Sequence, residues 1–306
     1  MLILQPSKPP CLGPALCGTV VVADIDRMIE AYVTYLGMSV VTDTLLSPVI
    51  AKAWGKPVLT GRRVVVLGAD LKDPTTHWLR LLHDSTAVPP APMRSGGWLA
   101  LEILVHDVCS LGERLKNSAF KVLGEPRPLA VSDKIWAMQV TGPAGETLYL
   151  TEVRAQVPPF ELPPPARHDA ERLFIPVLSA PERERTLGYY EQLSGNIALR
   201  FETRVAALNT ALGVDPEARR HVGTLQLAEK TLIEVDEVPE HPEVVMAGGR
   251  LPSGLAMVSF FARRATPLPK GIIWHEVGAA NWPALDLVLL EGAAGELIEL
   301  LAQPSV

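Results

Sequence analysis

The sequence predicts an α+β protein built from four βαβββ-type modules, paired into two domains whose mixed β-sheets curl into cups. Three observations predict it. Proline-rich stretches at 88–92, 158–165 and 238–242 cut the chain into four units of similar length, because proline neither continues a helix nor donates within a central strand. Within the units, an apolar strand followed by a capping residue and a helical pattern recurs, and further strands follow it. Helical insertions mark units one and three only, so the organisation is a doubled pair.

Unit one opens with Gly18-Thr19-Val20-Val21-Val22-Ala23, an apolar run suited to a buried strand. Asp24 follows as the N-cap, Ile25, Met28, Ile29, Tyr32 and Leu36 recur at helical spacing, and Gly37 closes the helix. Strands follow at 38–42, 63–67 and 78–82, with a helical insertion over 49–55. Unit two has a strand at 99–105, an Asp107 cap and a helix face of Val108, Leu111 and Leu115. Its strands at 120–123, 135–140 and 147–153 follow, with Gly142-Pro143-Ala144-Gly145 as the turn before the last. Unit three begins with a strand at 173–178. Ser179 and Glu182 have capping-box spacing, and Pro181 suits a first helical turn. The helix ends at Gly195, a second insertion is marked by Val205, Leu208 and Leu212, and a strand at 232–235 closes the unit. Unit four opens with a strand at 255–260, but Pro267 and Pro269 fall where its helix belongs, so that helix is short or missing. A hairpin ending at Gly295-Glu296-Leu297-Ile298-Glu299-Leu300 completes the chain. The longest joint, 158–165, separates an expected N-terminal domain (1–157, units one and two) from a C-terminal one (166–306, units three and four).

Bulk properties exclude several classes of function. With 48% hydrophobic and 20% charged residues the chain builds a sizeable core and is not disordered. Its net charge is −6 and no Lys/Arg cluster is dense enough to hold a phosphate backbone, so nucleic acid is not an expected partner. The opening Met1-Leu2-Ile3-Leu4 is too short for a signal peptide, and no apolar run approaches the roughly 20 residues of a membrane span. Three cysteines, Cys11, Cys17 and Cys109, argue against a disulfide framework and for a reducing, cytoplasmic setting.

The strand–Asp–helix–Tyr-x-x-Tyr-Leu-Gly run from Asp24 to Gly37, and the Gly142-Pro143-Ala144-Gly145-Glu146 turn before a closing strand, resemble the opening and ending of a vicinal oxygen chelate module. The resemblance covers nearly the whole chain. The superfamily includes glyoxalase I, extradiol dioxygenases, epimerases and metal-free antibiotic-binding proteins of the bleomycin-resistance type. Its metal-using members carry His or Gln on the opening strand and Glu on the closing strand. The matching opening positions here hold Cys17, Ala100, Ile175 and Ala256; the closing positions hold Arg80, Tyr149, Glu234 and Glu299. No imidazole is among the eight, and Arg80 puts a cation where a metal would sit. No cofactor is therefore expected; a divalent metal is left open but finds no support in these residues.

The candidate ligand-binding residues are Arg80, Cys17 and Trp136, and the candidate catalytic residues are Glu102, Tyr149, Glu234, Glu299 and His275. Mid-strand Arg80 needs a carboxylate partner, from the chain or from a ligand. Glu102, two residues after Ala100, shares its strand face, so Arg80, Tyr149 and Glu102 are expected in one N-terminal cavity binding a small organic anion or phenol. Glu234 and Glu299 occupy corresponding positions in units three and four, so they are expected to converge in a C-terminal cavity and share a proton, with His275 as a relay. The bland readings are a buried small hydrophobe for Cys17, a core aromatic for Tyr149 and a structural histidine for His275. His77 and His83 are expected at the solvent ends of their strand, and His168 and His241 lie in joints.

Two functions follow from the resemblance: metal-independent isomerase or lyase chemistry by acid–base residues on a small, largely apolar molecule, or non-catalytic sequestration of such a molecule. A metal-dependent dioxygenase or lyase with unrecognised ligands is the third. A small organic molecule is the expected partner; a homodimer is left open; no membrane is expected.

Overall fold

The computed structural model describes residues 11–129, 132–239, 244, 248–278 and 285–303. Met1 to Pro10 and His241, both considered above, lie outside the described residues. Unit one comprises β1 (Leu12–Val22), α1 (Ile25–Leu36), β2 (Ser39–Leu45), α2 (Pro48–Ala53), β3 (Arg63–Gly68) and β4 (Leu79–His83). Unit two comprises β5 (Gly97–Leu104), α3 (Val108–Leu115), β6 (Lys121–Leu129), β7 (Ser132–Thr141) and β8 (Thr147–Val153). Unit three comprises β9 (Arg172–Ala180), α4 (Arg183–Ser194), β10 (Leu199–Arg204), α5 (Ala206–Leu212), β11 (Arg219–Gln226) and β12 (Leu232–Glu237). Unit four has β13 (Gly254–Ala262), β14 (Asp286–Glu291) and β15 (Leu297–Ala302), and no helix among its described residues. No helix among the described residues is long and apolar enough to cross a membrane.

Local chemistry sets most of these elements. Asp24 and Asp107 accept backbone N–H bonds at the starts of α1 and α3, and Gly37 at φ 67° closes α1 with a left-handed cap. The expected capping box of unit three does not form. Ser179 is consumed by β9, which pairs with β5 through Ser179 and with β12 through Ala180, and Glu182 caps α4 with no side-chain bond. His77, expected at a solvent end, is instead 4% exposed with Nε2 2.8 Å from the Asp70 carbonyl.

The units pair across the midpoint of the chain. The first sheet has the order β14-β15-β13-β1-β4-β3-β2 and so joins units one and four. The second, β10-β11-β12-β9-β5-β8-β7-β6, joins units two and three. The opening strands make the seams, β1 antiparallel to β13 and β5 antiparallel to β9. The expected neighbours are corrected accordingly. Arg80 shares a sheet with Glu299, while Glu102 and Tyr149 share one with Glu234. The physical reason is that opening strands buried on both faces carry near-continuous apolar runs, which leave their partners undetermined in sequence.

The convex faces of the sheets meet in the main core, with α1, α3 and α4 packed against them. The approach is close where β1 crosses β5: a Cβ on Gly18 would lie 2.4 Å from a Leu101 methyl. Two equivalent contacts lock the units across this core. Tyr32 on α1 donates to Glu146 at 2.7 Å, and Tyr190 on α4 donates to Glu296 at 2.7 Å, each glutamate sitting in the turn before a closing strand. The concave faces point outward, one cup under α2 and the other beside α5.

Candidate functional site

Residues alternate along a strand, so every second residue of the central strands faces a cup. In the first sheet this puts Thr19 beside Arg80 and Ser259 beside Glu299 in parallel register. Cys17, Ala100 and Ile175 each lie two residues before the opening-strand partner of their closing position, so Met257, not Ala256, occupies the unit-four opening position. Without a helix, unit four has no capping Asp from which to count. Arg80 donates to Glu299 (2.7 Å), Thr19 (2.9 Å) and Ser259 (3.2 Å). Glu299 accepts further bonds from Ser259 (2.5 Å) and the Trp54 indole (2.7 Å), and the guanidinium lies 5.0 Å from the Trp54 ring centre. Arg80 is 4% exposed and Glu299 is fully buried. This is a closed, satisfied network in which a guanidinium sits at the centre of the sheet. A divalent metal does not fit there, since the permanent cation repels it and holds the carboxylate.

Cys17 joins this network only as packing. Burial pushes its thiol up to about 12, against the lowering pull of Arg80, so no thiolate is available for nucleophilic or ligand chemistry.

The second sheet differs. Beside α5 its cup holds a cavity of about 190 Å³. Apolar groups such as Ile135, Val153, Phe160, Phe174 and Phe201 line it, with Glu102, Tyr149, Thr151, Thr224 and Glu234 also in its wall. The cavity separates two apolar clusters of the same cup, whereas one continuous cluster fills the cup of the first sheet. Parallel register sets Glu102 beside Tyr149 and Val177 beside Glu234. Asp236, two residues after Glu234 on β12, projects from the same strand face and is fully buried.

This group is short of partners. Thr151 donates to Glu102 at 2.7 Å. The Tyr149 hydroxyl, the Thr224 hydroxyl and both Asp236 oxygens are buried with no hydrogen-bond partner. Burial pushes Glu102 up to about 7, with Thr151 opposing and Asp236 reinforcing the shift. Burial, then the charges of Asp236 and Glu102, push Glu234 well above the usual carboxylate range. Burial raises Asp236 too, with Arg220 pulling it down. Tyr149 is raised by burial and by all three carboxylates, so it stays a neutral donor. The arrangement stores protons near neutrality inside an apolar cup, which suits acid–base chemistry.

The cavity wall offers no imidazole or thiolate. Among the described residues no group of three or more His, Cys, Asp or Glu is placed to hold a metal ion. The residues of the second sheet therefore do not fit a metal of the kind the fold family uses.

Glu102, Tyr149 and Glu234 are thus brought together, and Arg80, Cys17 and Glu299 are together in the other sheet. Trp136 and His275 join neither. Ile135 and Ala137 face the cavity, so Trp136 between them points away; its ring lies 4.4 Å from the Arg154 guanidinium and its indole donates to the Asp133 carbonyl. His275 makes an isolated bridge to Leu287 on β14, the outermost strand of the first sheet, and takes no part in the Glu234 cavity. Sequence reasoning missed Asp236, Thr224 and Trp54. The Glu234-x-Asp236 alternation was a usable signal for the first; nothing local marked the other two.

No family model and no curated protein matches the sequence. Solved structures match in fold. Glyoxalase I from Zea mays aligns over 94% of this chain and 92% of its own, at 18% identity and a TM-score of 0.59. A candidate dioxygenase from Bacillus subtilis aligns over 98% and 87%, at 12% identity and a TM-score of 0.64. The paired βαβββ units, the two curled mixed sheets and these full-length structural matches agree: the chain has the fold of the vicinal oxygen chelate superfamily.

Proposed function

We infer that this protein binds a small, largely apolar organic molecule in the cavity of the second sheet and moves a proton on it with Glu234 and Glu102, without a resident metal. The observation that supports this reading is a group of three carboxyls, Glu102 and Asp236 buried and Glu234 half-buried, with an unpartnered tyrosine hydroxyl at an apolar cavity. Carboxyls raised toward neutrality hold both protonation states at working pH. One carboxylate takes a proton from an acidic C–H of the bound molecule, the neighbouring carboxyl returns one to another carbon (isomerisation) or to an oxygen that departs from the β-carbon as its C–O bond breaks (elimination), and Tyr149 donates a hydrogen bond to the oxygen that gains charge between the two steps. The reaction class is an isomerisation or elimination. The apolar majority of the lining favours sequestration without turnover as the second reading.

The test is a thermal-shift screen of small aromatic and carbonyl compounds, since a ligand bound to the folded state raises the melting temperature. Each hit is then incubated with protein in D2O and followed by NMR. Deuterium incorporation at carbon by the wild type and not by Glu234→Gln supports proton transfer. Hits that bind without exchange leave the sequestration reading. Hits whose stabilisation is unchanged in Phe174→Ala and Glu234→Gln exclude the cavity.

A further inference from the structure

The two cups are internal copies of one design, and they treat a central glutamate in opposite ways. Glu299 and Glu234 stand at corresponding positions on the closing strands β15 and β12. Glu299 is satisfied entirely by the chain: a guanidinium donates to one oxygen, an indole N–H to the other, and the cation sits over the indole ring. Both groups arrive from unit one, Arg80 on β4 and Trp54 at the C-terminal cap of α2. The second cup has no counterpart of either. Tyr149 of unit two stands on β8 where Arg80 of unit one stands on β4, and unit two carries no insertion helix among its described residues to bring a tryptophan. Among the described residues Glu234 makes no hydrogen bond or ion pair, and it lines the cavity.

We propose that the ligand of the second cup is a small organic cation, an amine or amidine carried on a ring or comparable apolar body, which supplies to Glu234 what Arg80 and Trp54 supply to Glu299. This rests on the reading that the cavity is the binding site. Three further observations carry it. The unpartnered, buried hydroxyls of Tyr149 (a residue 7% exposed) and Thr224 (5%) sit in the same cavity wall as Glu234 and can accept from a ligand N–H as well as donate. Buried charge is tolerated only when it is paired, and the three carboxyls of the group have only Arg220 acting on one of them. The two arginines of the lining, Arg127 and Arg204, are exposed, and Arg204 is already ion-paired with Glu217 at 2.6 Å. The size agrees: a cavity of about 150 Å³ takes a benzene ring, and this one is about 190 Å³.

Benzamidine, benzamide and benzoate share a ring and nearly a shape but differ in charge, so they separate this proposal from the cavity reading beneath it. Calorimetry on the full chain should show benzamidine binding at least about tenfold tighter than benzamide, the step expected of a charged over a neutral hydrogen bond, with no binding of benzoate. A cation favours ionised carboxyls, so benzamidine affinity should rise between pH 6 and 8 and binding should release protons. Glu234→Gln should bring benzamidine down to the benzamide level while leaving benzamide unchanged. Asp236→Asn should weaken it in the same direction, which guards against a misfolded single variant. If benzamide or benzoate binds as tightly as benzamidine, the proposal fails and the cavity reading stands. If none of the three binds, both fail. Displacement of benzamidine by magnesium, manganese or zinc chloride, reversed by EDTA, would overturn the proposal in favour of an inorganic cation.

Discussion

Replacing Arg80 by Met tests the closed network of the first sheet most directly. The substitution keeps most of the side-chain volume and removes three hydrogen bonds, those to Thr19, Ser259 and Glu299. Glu299, fully buried, keeps the Trp54 and Ser259 bonds but loses its counter-ion. Breaking a buried ion pair by removing one partner costs roughly 3–5 kcal/mol, because the remaining charge is uncompensated. Glu299→Gln strands the guanidinium instead and costs a similar amount. The double variant Arg80→Met with Glu299→Gln leaves no buried charge, and the amide oxygen still accepts from the indole. It should recover at least about 3 kcal/mol of the summed single losses, a coupling that only a direct interaction produces. Urea denaturation of the four proteins measures all of these values. Single losses below about 1 kcal/mol, or strict additivity, would refute the account of the pair. Ligand binding in the second cup should be unchanged in the folded fraction of Arg80→Met, contrary to the sequence-based expectation that Arg80 binds the ligand.

Stability should fall as pH rises from 5 to 8. Glu102 and Glu146 both have folded-state values of about 7 against 4.5 for an ordinary glutamate, burial being the main cause. A raised carboxyl contributes fully below its unfolded value and loses that contribution as pH rises through the folded value. Each group accounts for about 3 kcal/mol over that window, read by urea denaturation at pH 5, 6, 7 and 8; a flat profile would contradict it. Tyr32→Phe and Tyr190→Phe each remove a donor from a buried turn glutamate and should cost about 1–3 kcal/mol, equally in the two halves, by the same assay. Thiol titration of the native protein should modify exposed Cys109 rapidly and leave Cys17, 1% exposed and raised to about 12, unreacted until denaturant is added.

The amino-acid sequence by itself determined the local elements. The Asp24 and Asp107 caps, the Gly37 stop, the apolar spacing of α1 and the joints at proline act within a few residues, so they are legible without a partner. The same is true of the polar positions on the closing strands. Arg80, Tyr149, Glu234 and Glu299 break apolar runs, and a polar group in such a run requires a partner or a purpose. Which partner each received was decided only by tertiary structure. A strand offers the same backbone groups to any edge, and the apolar runs of β1, β5, β9 and β13 suit several neighbours. The pairing of β1 with β13 and of β5 with β9 is a contact between residues far apart in the chain. That pairing sent Arg80 to Glu299 and left Glu234 with Glu102 and Tyr149. Tertiary structure also brought the Trp54 indole of unit one onto Glu299 and left a cavity in the cup that holds Glu234.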